Sequence, residues 1–328
     1  MSEVLFERGI GATRALVIKD GVVVEAHFER DDSPRFGAVH VARLTTILEP
    51  GRRGIMRLGD NEGLIEPLPY CPEGGLLRVE VVREAIHETG RPRLAKLRNV
   101  EGDTTTEGQV SAGVDLAARL KVAGHTLTHL GSHGEDRLEA AGWSETVESA
   151  RTGYFAFPGG LLTISPTPAM TVIDVDGPGD IEALAQASAV AVAATIRAFD
   201  LQGSLGVDFP TLEGKAARAR LGEILDEHLP APFERTAVNG WGFVQIVRPR
   251  RRANFIEQVR APGFAALELL RRAGRGAAGG RTLVAHPVVI AWLAARPALT
   301  EALGRATGGE VRLQEDAGLA ISGGDVHH

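Results

Sequence analysis

From residue 12 onward, apolar and polar positions alternate with the two-residue period of β-strands. The runs ALVIKDGVVVEAHF, GAVHVARLTTIL, GIMRLG and EGLIEPL are short and separated by turn residues. Within the first of them Lys19-Asp20-Gly21 marks a hairpin, because Asp-Gly supplies the positive φ angles that a two-residue connection requires. GLLRVEVV and PRLAKLRNV bring the strands to about five, which suits a small barrel such as an OB-fold. Many barrels of this size bind single-stranded nucleic acid and many bind nothing of the kind, so the barrel alone does not fix a ligand.

Residues 99–150 are polar and irregular, with helical patterns near 113–123 and 135–148. His125, His129 and His133 stand four apart, a spacing that would align three metal ligands on a helix. Gly124, Gly131 and Gly134, with the alternation in HTLTHL, favour a strand and turn instead. Beyond them GGLLTISPT and AMTVIDVDG read as two strands joined by a turn that contains Pro166 and Pro168. From 179 to 199 the period becomes helical, and GSLGVDF is again a strand. Strand, helix, strand is a crossover unit with parallel strands, which brings Asp174 and Asp208 to equivalent C-terminal strand ends over one crevice. A helix over 212–228 and the strand GFVQIV follow, and the strand runs into Arg248-Pro249-Arg250-Arg251-Arg252. The glycine-rich loop 274–280 leads to a terminal α/β unit: TLVAHP, helices in VVIAWLAA and ALTEALGRAT, and EVRLQED.

Composition narrows the setting. The chain has 328 residues, 44% apolar and 24% charged, values of a globular protein large enough for two or three domains. The alanine-rich run 183–199 is bounded by Arg197 and Asp200 and reads as a buried amphipathic helix, so no membrane span is expected. No secretory pattern opens the sequence, and Cys71 is the one cysteine, so the expected location is the reducing cytoplasm. A lone cysteine also excludes a zinc site built on paired thiolates. A net charge of −6 argues against gripping nucleic acid by overall charge, so any grip is local, at Arg52-Arg53, at 91–98 or at 248–252. Each of these runs also fits a solvated surface.

The acidic residues carry the chemistry. A carboxylate at a strand end often caps a turn or helix, and either Asp174 or Asp208 alone fits that role. Asp176 changes the picture, because positions two apart on a strand share a face and all three carboxylates then converge. Such a cluster repels itself unless neutralised, and an anionic oxygen-rich site selects Mg²⁺ or Mn²⁺. Neither a serine or cysteine nucleophile motif nor a phosphate-cradling glycine loop competes for this crevice.

AMTVIDVDG, the helix after it and DLQGSLGVDF together resemble the ribonuclease E/G signature, in which an Ile-Asp strand precedes a helix, an Asp-Leu-x-Gly turn and a strand ending in Asp-Phe. FPGG before LLTISPT and NGWGFVQIVRPR, with its aromatic-Gly pair and closing Arg-x-Arg, resemble further segments of that family. ATRALVIKDGVVVE, GAVHVARLTTILEPG and the C-terminal TLVAHPVVIAWLAARPALTEALGRATGGEVRLQED do likewise, so the resemblance covers most of the chain in order.

The resemblance implies a mixed fold that combines α+β and α/β parts. These are an N-terminal hairpin (1–36), an inserted OB-fold RNA-binding domain (37–98), a reduced linker with a sensor remnant (99–150), an α/β catalytic domain (151–252; DNase-I-like in the family) and a small C-terminal α/β domain (253–328). It implies a magnesium-dependent endoribonuclease that cuts single-stranded RNA. Asp174 and Asp208 are then its catalytic metal ligands, with Mn²⁺ as an alternative ion, and Asp176, which stands where the family usually has asparagine, also supplies an oxygen and is the third expected metal ligand. Trp241, Arg248 and Arg250, with Arg43 and Arg91 on the barrel, are the expected RNA contacts.

The departures from the family are as informative. Residues 99–150 are too few for the family's longer segment, with its ribonuclease H-like part and 5′-monophosphate sensor, so the sensor is expected to be missing. No cysteine pair follows Arg252, so no zinc and no zinc-linked tetramer are expected, while a homodimer stays open. Ile55 and Leu64 stand at the family's base-stacking phenylalanines, and Gly90-Arg91 only loosely matches its Lys-Gly pair. The alternative reading is an RNA-binding protein with a degenerate nuclease domain; a metal-dependent phosphatase or a nuclease for another substrate is the third.

Overall fold

The computed structural model describes residues 2–87, 93–131 and 134–328. The chain opens with strands β1 (Ser2–Arg8), β2 (Ala12–Lys19) and β3 (Val22–Arg30). Six strands follow: β4 (Val39–Glu49), β5 (Arg53–Leu58), β6 (Asn61–Ile65), β7 (Leu76–Arg83), β8 (Ala95–Asn99) and β9 (Gly108–Ser111). Next come α1 (Leu116–Val122), β10 (Leu127–Leu130), α2 (Arg137–Ala140) and α3 (Trp143–Thr152). Then run β11 (Tyr154–Phe157), β12 (Gly160–Pro166), β13 (Thr171–Asp176), α4 (Ile181–Ala198), β14 (Gly203–Asp208), α5 (Lys215–His228), β15 (Glu234–Arg235) and β16 (Phe243–Arg248). The chain ends with α6 (Phe255–Val259), α7 (Pro262–Gly274), β17 (Arg281–Ala285), α8 (Pro287–Ala294), α9 (Pro297–Thr307), β18 (Val311–Glu315) and β19 (Asp325–His327). Two compact units interleave along this order, one of Met1–Asp31, His125–Gly153 and Phe255–His328, the other of Asp32–Gly124 and Tyr154–Asn254.

In the first unit the N-terminal strands form the sheet β10-β1-β2-β3, with β10 parallel to β1 and the rest antiparallel. The predicted hairpin joins β2 to β3, and Asp20 and Gly21 both take positive φ (52° and 77°). Val4, Leu5 and Phe6 on β1 and Ala15, Leu16 and Val17 on β2 are all buried, so these strands are covered on both faces. The expected helix over 135–148 is broken at Gly142 into α2 and α3. Charges are also buried here: Arg271 donates to Glu7 at 2.9 Å and to Asp136 at 2.5 Å, and Arg275 also pairs with Glu7. Buried Arg14 donates to Glu268 and to the Leu267 carbonyl, while the Trp143 indole donates to the other Glu268 oxygen at 2.9 Å. A smaller sheet, β18-β17-β19, completes the unit with α7, α8 and α9.

The second unit contains a closed barrel of five strands in the order β4-β5-β6-β8-β7, with β4 pairing to both β5 and β7. Its core is Ala42, Leu44, Met56, Leu58, Ile65, Val79, Val81, Ala95 and Leu97, the inward half of the alternation seen in the sequence. The first-second-third-fifth-fourth order is consistent with an OB-like fold, so the mixed α and β character and the barrel both stand. The unit's other layer is the six-stranded sheet β11-β12-β13-β14-β16-β15. Its strands are antiparallel except β13 and β14, which the α4 crossover makes parallel. Leu162, Ile164, Ile173, Val175, Leu205, Val207, Val244 and Ile246 form the buried face of this sheet. Helix α4 is long and apolar enough to cross a membrane, but it packs against β11, β12, β13 and α5 and buries Leu184, Ala185, Ala189, Val192, Ala193 and Ile196.

Candidate functional site

The register of the parallel pair places Asp174 directly opposite Asp208. Burial along β13 runs buried at Ile173, exposed at Asp174, buried at Val175 and exposed at Asp176, so both aspartates lie on the face that α4 leaves open. Asp208 is exposed on the same face at the end of β14. Adjacent strands are about 4.8 Å apart, which brings the two opposed carboxylates within reach of one ion. Among the described residues, no cation pairs with any of the three aspartates. Desolvation, and then the like charges of Asp176 and Asp208, push the Asp174 carboxyl above its ordinary pKa, against one hydrogen bond from the Val175 N–H.

Among the described residues no three His, Cys, Asp or Glu side chains form a group that could hold a metal ion, so Asp174, Asp176 and Asp208 do not make the three-ligand site expected from the sequence, and the strand-paired Asp174 and Asp208 remain. Mg²⁺ holds several of its own waters and is commonly bound through one or two carboxylates, so a pair of exposed aspartates with uncompensated charge meets its demand.

The strands flanking the aspartates extend the row. Tyr154 on β11 faces Thr163 on β12, Thr163 faces Asp174, and on the far side Asp208 faces Phe243 on β16. The Phe243 ring and the Met170 side chain lie over Gly206, where an added Cβ would stand 2.8 Å and 2.9 Å from them, so only glycine lets them close over the sheet. Trp241 precedes this strand and is 78% exposed. Asn239 fixes its turn: the side-chain oxygen accepts from the Trp241 N–H at 2.9 Å and the Phe243 N–H at 3.0 Å. Gly242 has φ +91°, and a Cβ there would come within 2.1 Å of the Phe209 carbonyl, so this turn can sit against the end of β14 only with glycine. Tyr154, Thr163, Met170 and Phe243 were not singled out in the sequence; a residue's place across a sheet becomes visible only with the register.

Arg248 and Arg250 lie elsewhere. Asp208 pairs with Phe243 and Gly203 with Arg248, so Arg248 is five residues along the ladder from Asp208, about 17 Å, and Arg250 follows beyond the strand end. Both are held within the fold, with the Nε–H of each buried and without an acceptor among the described residues. Arg248 donates to the Leu201 carbonyl at 2.5 Å, and burial lowers its pKa while Asp200 opposes the shift. The Arg250 side chain lies against Gly203, Arg251 stacks over Phe36 at 4.9 Å, and Arg252 pairs with Asp200 at 3.1 Å. The Gln202 side-chain oxygen accepts from the Arg251 and Arg252 N–H groups, which ties the DLQG turn to the basic run.

On the barrel, Ile55 and Leu64 are register partners and half-buried, an aliphatic pair on the outer surface. Arg43 faces Arg57 across β4 and β5, and both pair with Glu107, at 2.7 Å and 3.1 Å. The hydrogen bonds from Arg43 and then Arg57 hold Glu107 below its ordinary pKa. Gly90, Arg91 and His133 lie outside the described residues. His129 is on β10, in a strand as the alternation predicted, with its ring 5.1 Å from Phe6. No protein-family model matches the chain, and no curated protein matches it.

Proposed function

We propose that this chain is a magnesium-dependent endoribonuclease that cuts single-stranded RNA, a shortened relative of the ribonuclease E/G family with a DNase-I-like catalytic layer and a small C-terminal α/β part. One observation carries the reading: Asp174 and Asp208 are register partners on an open sheet face, with Asp176 beside them and no described cation to neutralise the three. Charge left uncompensated at adjacent strand ends destabilises a fold and persists where a cation is to be held. Asp174 and Asp208 would hold the ion, and Asp176 would contribute charge close by. When bound, Mg²⁺ supplies Lewis-acid polarisation of a phosphodiester oxygen and an activated water for attack. Trp241 offers an exposed ring on which a base stacks, and the OB-like barrel offers a second surface for a single strand.

The deciding experiment incubates purified protein with labelled single-stranded RNA, single-stranded DNA and a small phosphomonoester, each with Mg²⁺ or with chelator. Internal cuts in RNA that need Mg²⁺ are expected. Tight RNA binding without cleavage would replace the reading with that of an RNA-binding protein whose nuclease layer is degenerate. Turnover of the phosphomonoester or of DNA alone would replace it with a different phosphoryl-transfer activity.

A further inference from the structure

The row across the six-stranded sheet has an aromatic residue on each side of the carboxylates. Tyr154 lies on the edge strand β11, two strands from Asp174. Its neighbour Phe155 turns to the other face, where its ring meets Phe199 at 4.8 Å, and Tyr154 is 57% exposed on the open face. On the far side Phe243 adjoins Asp208, and Trp241 stands in solvent at the same strand end. Four strand spacings separate Tyr154 from Phe243, about 19 Å. A stacked strand advances about 3.4 Å per nucleotide, so the row accommodates about five or six nucleotides, fewer if they are extended. A polyanion has no reason to lie across three carboxylates unless cations hold its phosphates at the centre, while planar rings at the edges take bases of any identity.

We propose that Tyr154 is a positioning residue that stacks a base on one side of the scissile bond, so that the substrate strand crosses the open face at right angles to the β-strands, from Trp241 over Asp208 and Asp174 to Tyr154. This rests on the nuclease reading and adds to it the path of the substrate and a second stacking anchor. A base on an aromatic ring is worth about fivefold to about a hundredfold in affinity. Tyr154→Ala should therefore raise KM about five- to tenfold and leave kcat within about twofold, whereas Tyr154→Phe, which keeps the ring, should behave as the unaltered protein. The discriminating measurement uses single-stranded RNAs with one abasic nucleotide moved stepwise past the cleaved bond. At one fixed offset the missing base should cost the unaltered protein as much as Tyr154→Ala does, and should cost Tyr154→Ala nothing more. An unchanged KM in Tyr154→Ala, or abasic penalties equal in both proteins at every offset, overturns the assignment while cleavage stands. If the protein binds RNA without cutting it, the nuclease reading fails but the same variants, compared by dissociation constant in Mg²⁺, test the stacking: a five- to tenfold weakening supports it and equal affinities overturn it.

Discussion

At one end of the six-stranded sheet three carboxylates stand exposed with no described cation beside them, whereas about 17 Å along the strands, at the other end, four arginines crowd into residues 248–252. The arginines are absorbed by the fold: a carbonyl takes Arg248, Phe36 takes Arg251 and Asp200 takes Arg252. The acidic end keeps like charges side by side, whereas the basic end is held within the fold, even though burial disfavours the Arg248 charge. Where charge is satisfied internally little remains for a ligand, and where it is not, a ligand is the natural complement. The first unit follows the same logic as the basic end, with Glu7, Asp136 and Glu268 all neutralised by Arg271, Arg275 and Arg14.

The comparison breaks first, and by the largest effect, at the carboxylates. Asp174→Asn and Asp208→Asn each delete a ligand charge, so each should lower kcat/KM for RNA cleavage about a hundredfold or more. Neither should lower the melting temperature of the metal-free protein, because each relieves like-charge repulsion. Initial rates at saturating Mg²⁺, with a thermal melt of each variant in chelator, test both halves. Near-normal Mg²⁺-dependent cleavage in either variant removes the aspartates from the chemistry.

The second prediction bears on the basic end. Arg248→Met should cost no more than about 1 kcal/mol of stability, since loss of the charge-assisted bond to the Leu201 carbonyl is offset by removal of a buried charge and of an Nε–H that has no acceptor among the described residues. RNA affinity should keep its salt dependence, because burial and the bond to the Leu201 carbonyl hold this guanidinium inside the fold rather than toward a phosphate. Denaturant unfolding and binding across a salt series measure the two. A loss of about one unit from the slope of log affinity against log salt would return Arg248 to the RNA backbone.

How much of this was legible in the sequence differs between the two ends. Two-residue alternation located most strands of the barrel and the sheet, and the crossover rule placed Asp174 and Asp208 at equivalent positions before the register paired them. Strands without that pattern were missed. β9 is four exposed residues, β15 is two, and β11 is a four-residue YFAF run at a sheet edge. The pairing of β1 with β10 joins residues more than a hundred positions apart and leaves no local trace, so the merging of the N-terminal strands with 125–153 was not visible. The arginine run is the clearest case. RPRRR reads as a basic patch in one dimension, and only the positions of Leu201, Gln202, Asp200 and Phe36 show that it is used within the fold.

The smallest expected effect sharpens the acidic end. Asp176 is the like charge that raises the Asp174 pKa most, after desolvation, so Asp176→Asn should lower that pKa without touching either strand-paired ligand. The sign follows from proton linkage. With its native pKa above the unfolded value, Asp174 holds its proton more tightly when folded, so the metal-free protein gains stability as pH falls through the raised pKa toward the ordinary carboxyl range and loses it again as pH rises. Asp176→Asn should shrink that gain, because less repulsion is left to relieve. In catalysis the same carboxyl must be ionised to hold a cation, so cleavage fails on the acid side, and removing the Asp176 charge should move that acid limb to lower pH at saturating Mg²⁺. A carboxyl titration of the metal-free protein by NMR, beside the pH–rate profile, reads the shift in two independent ways. An acid limb that moves to higher pH, or a variant with no cleavage at any pH, would mean that Asp176 itself grips the ion and that the site works with three carboxylates rather than two.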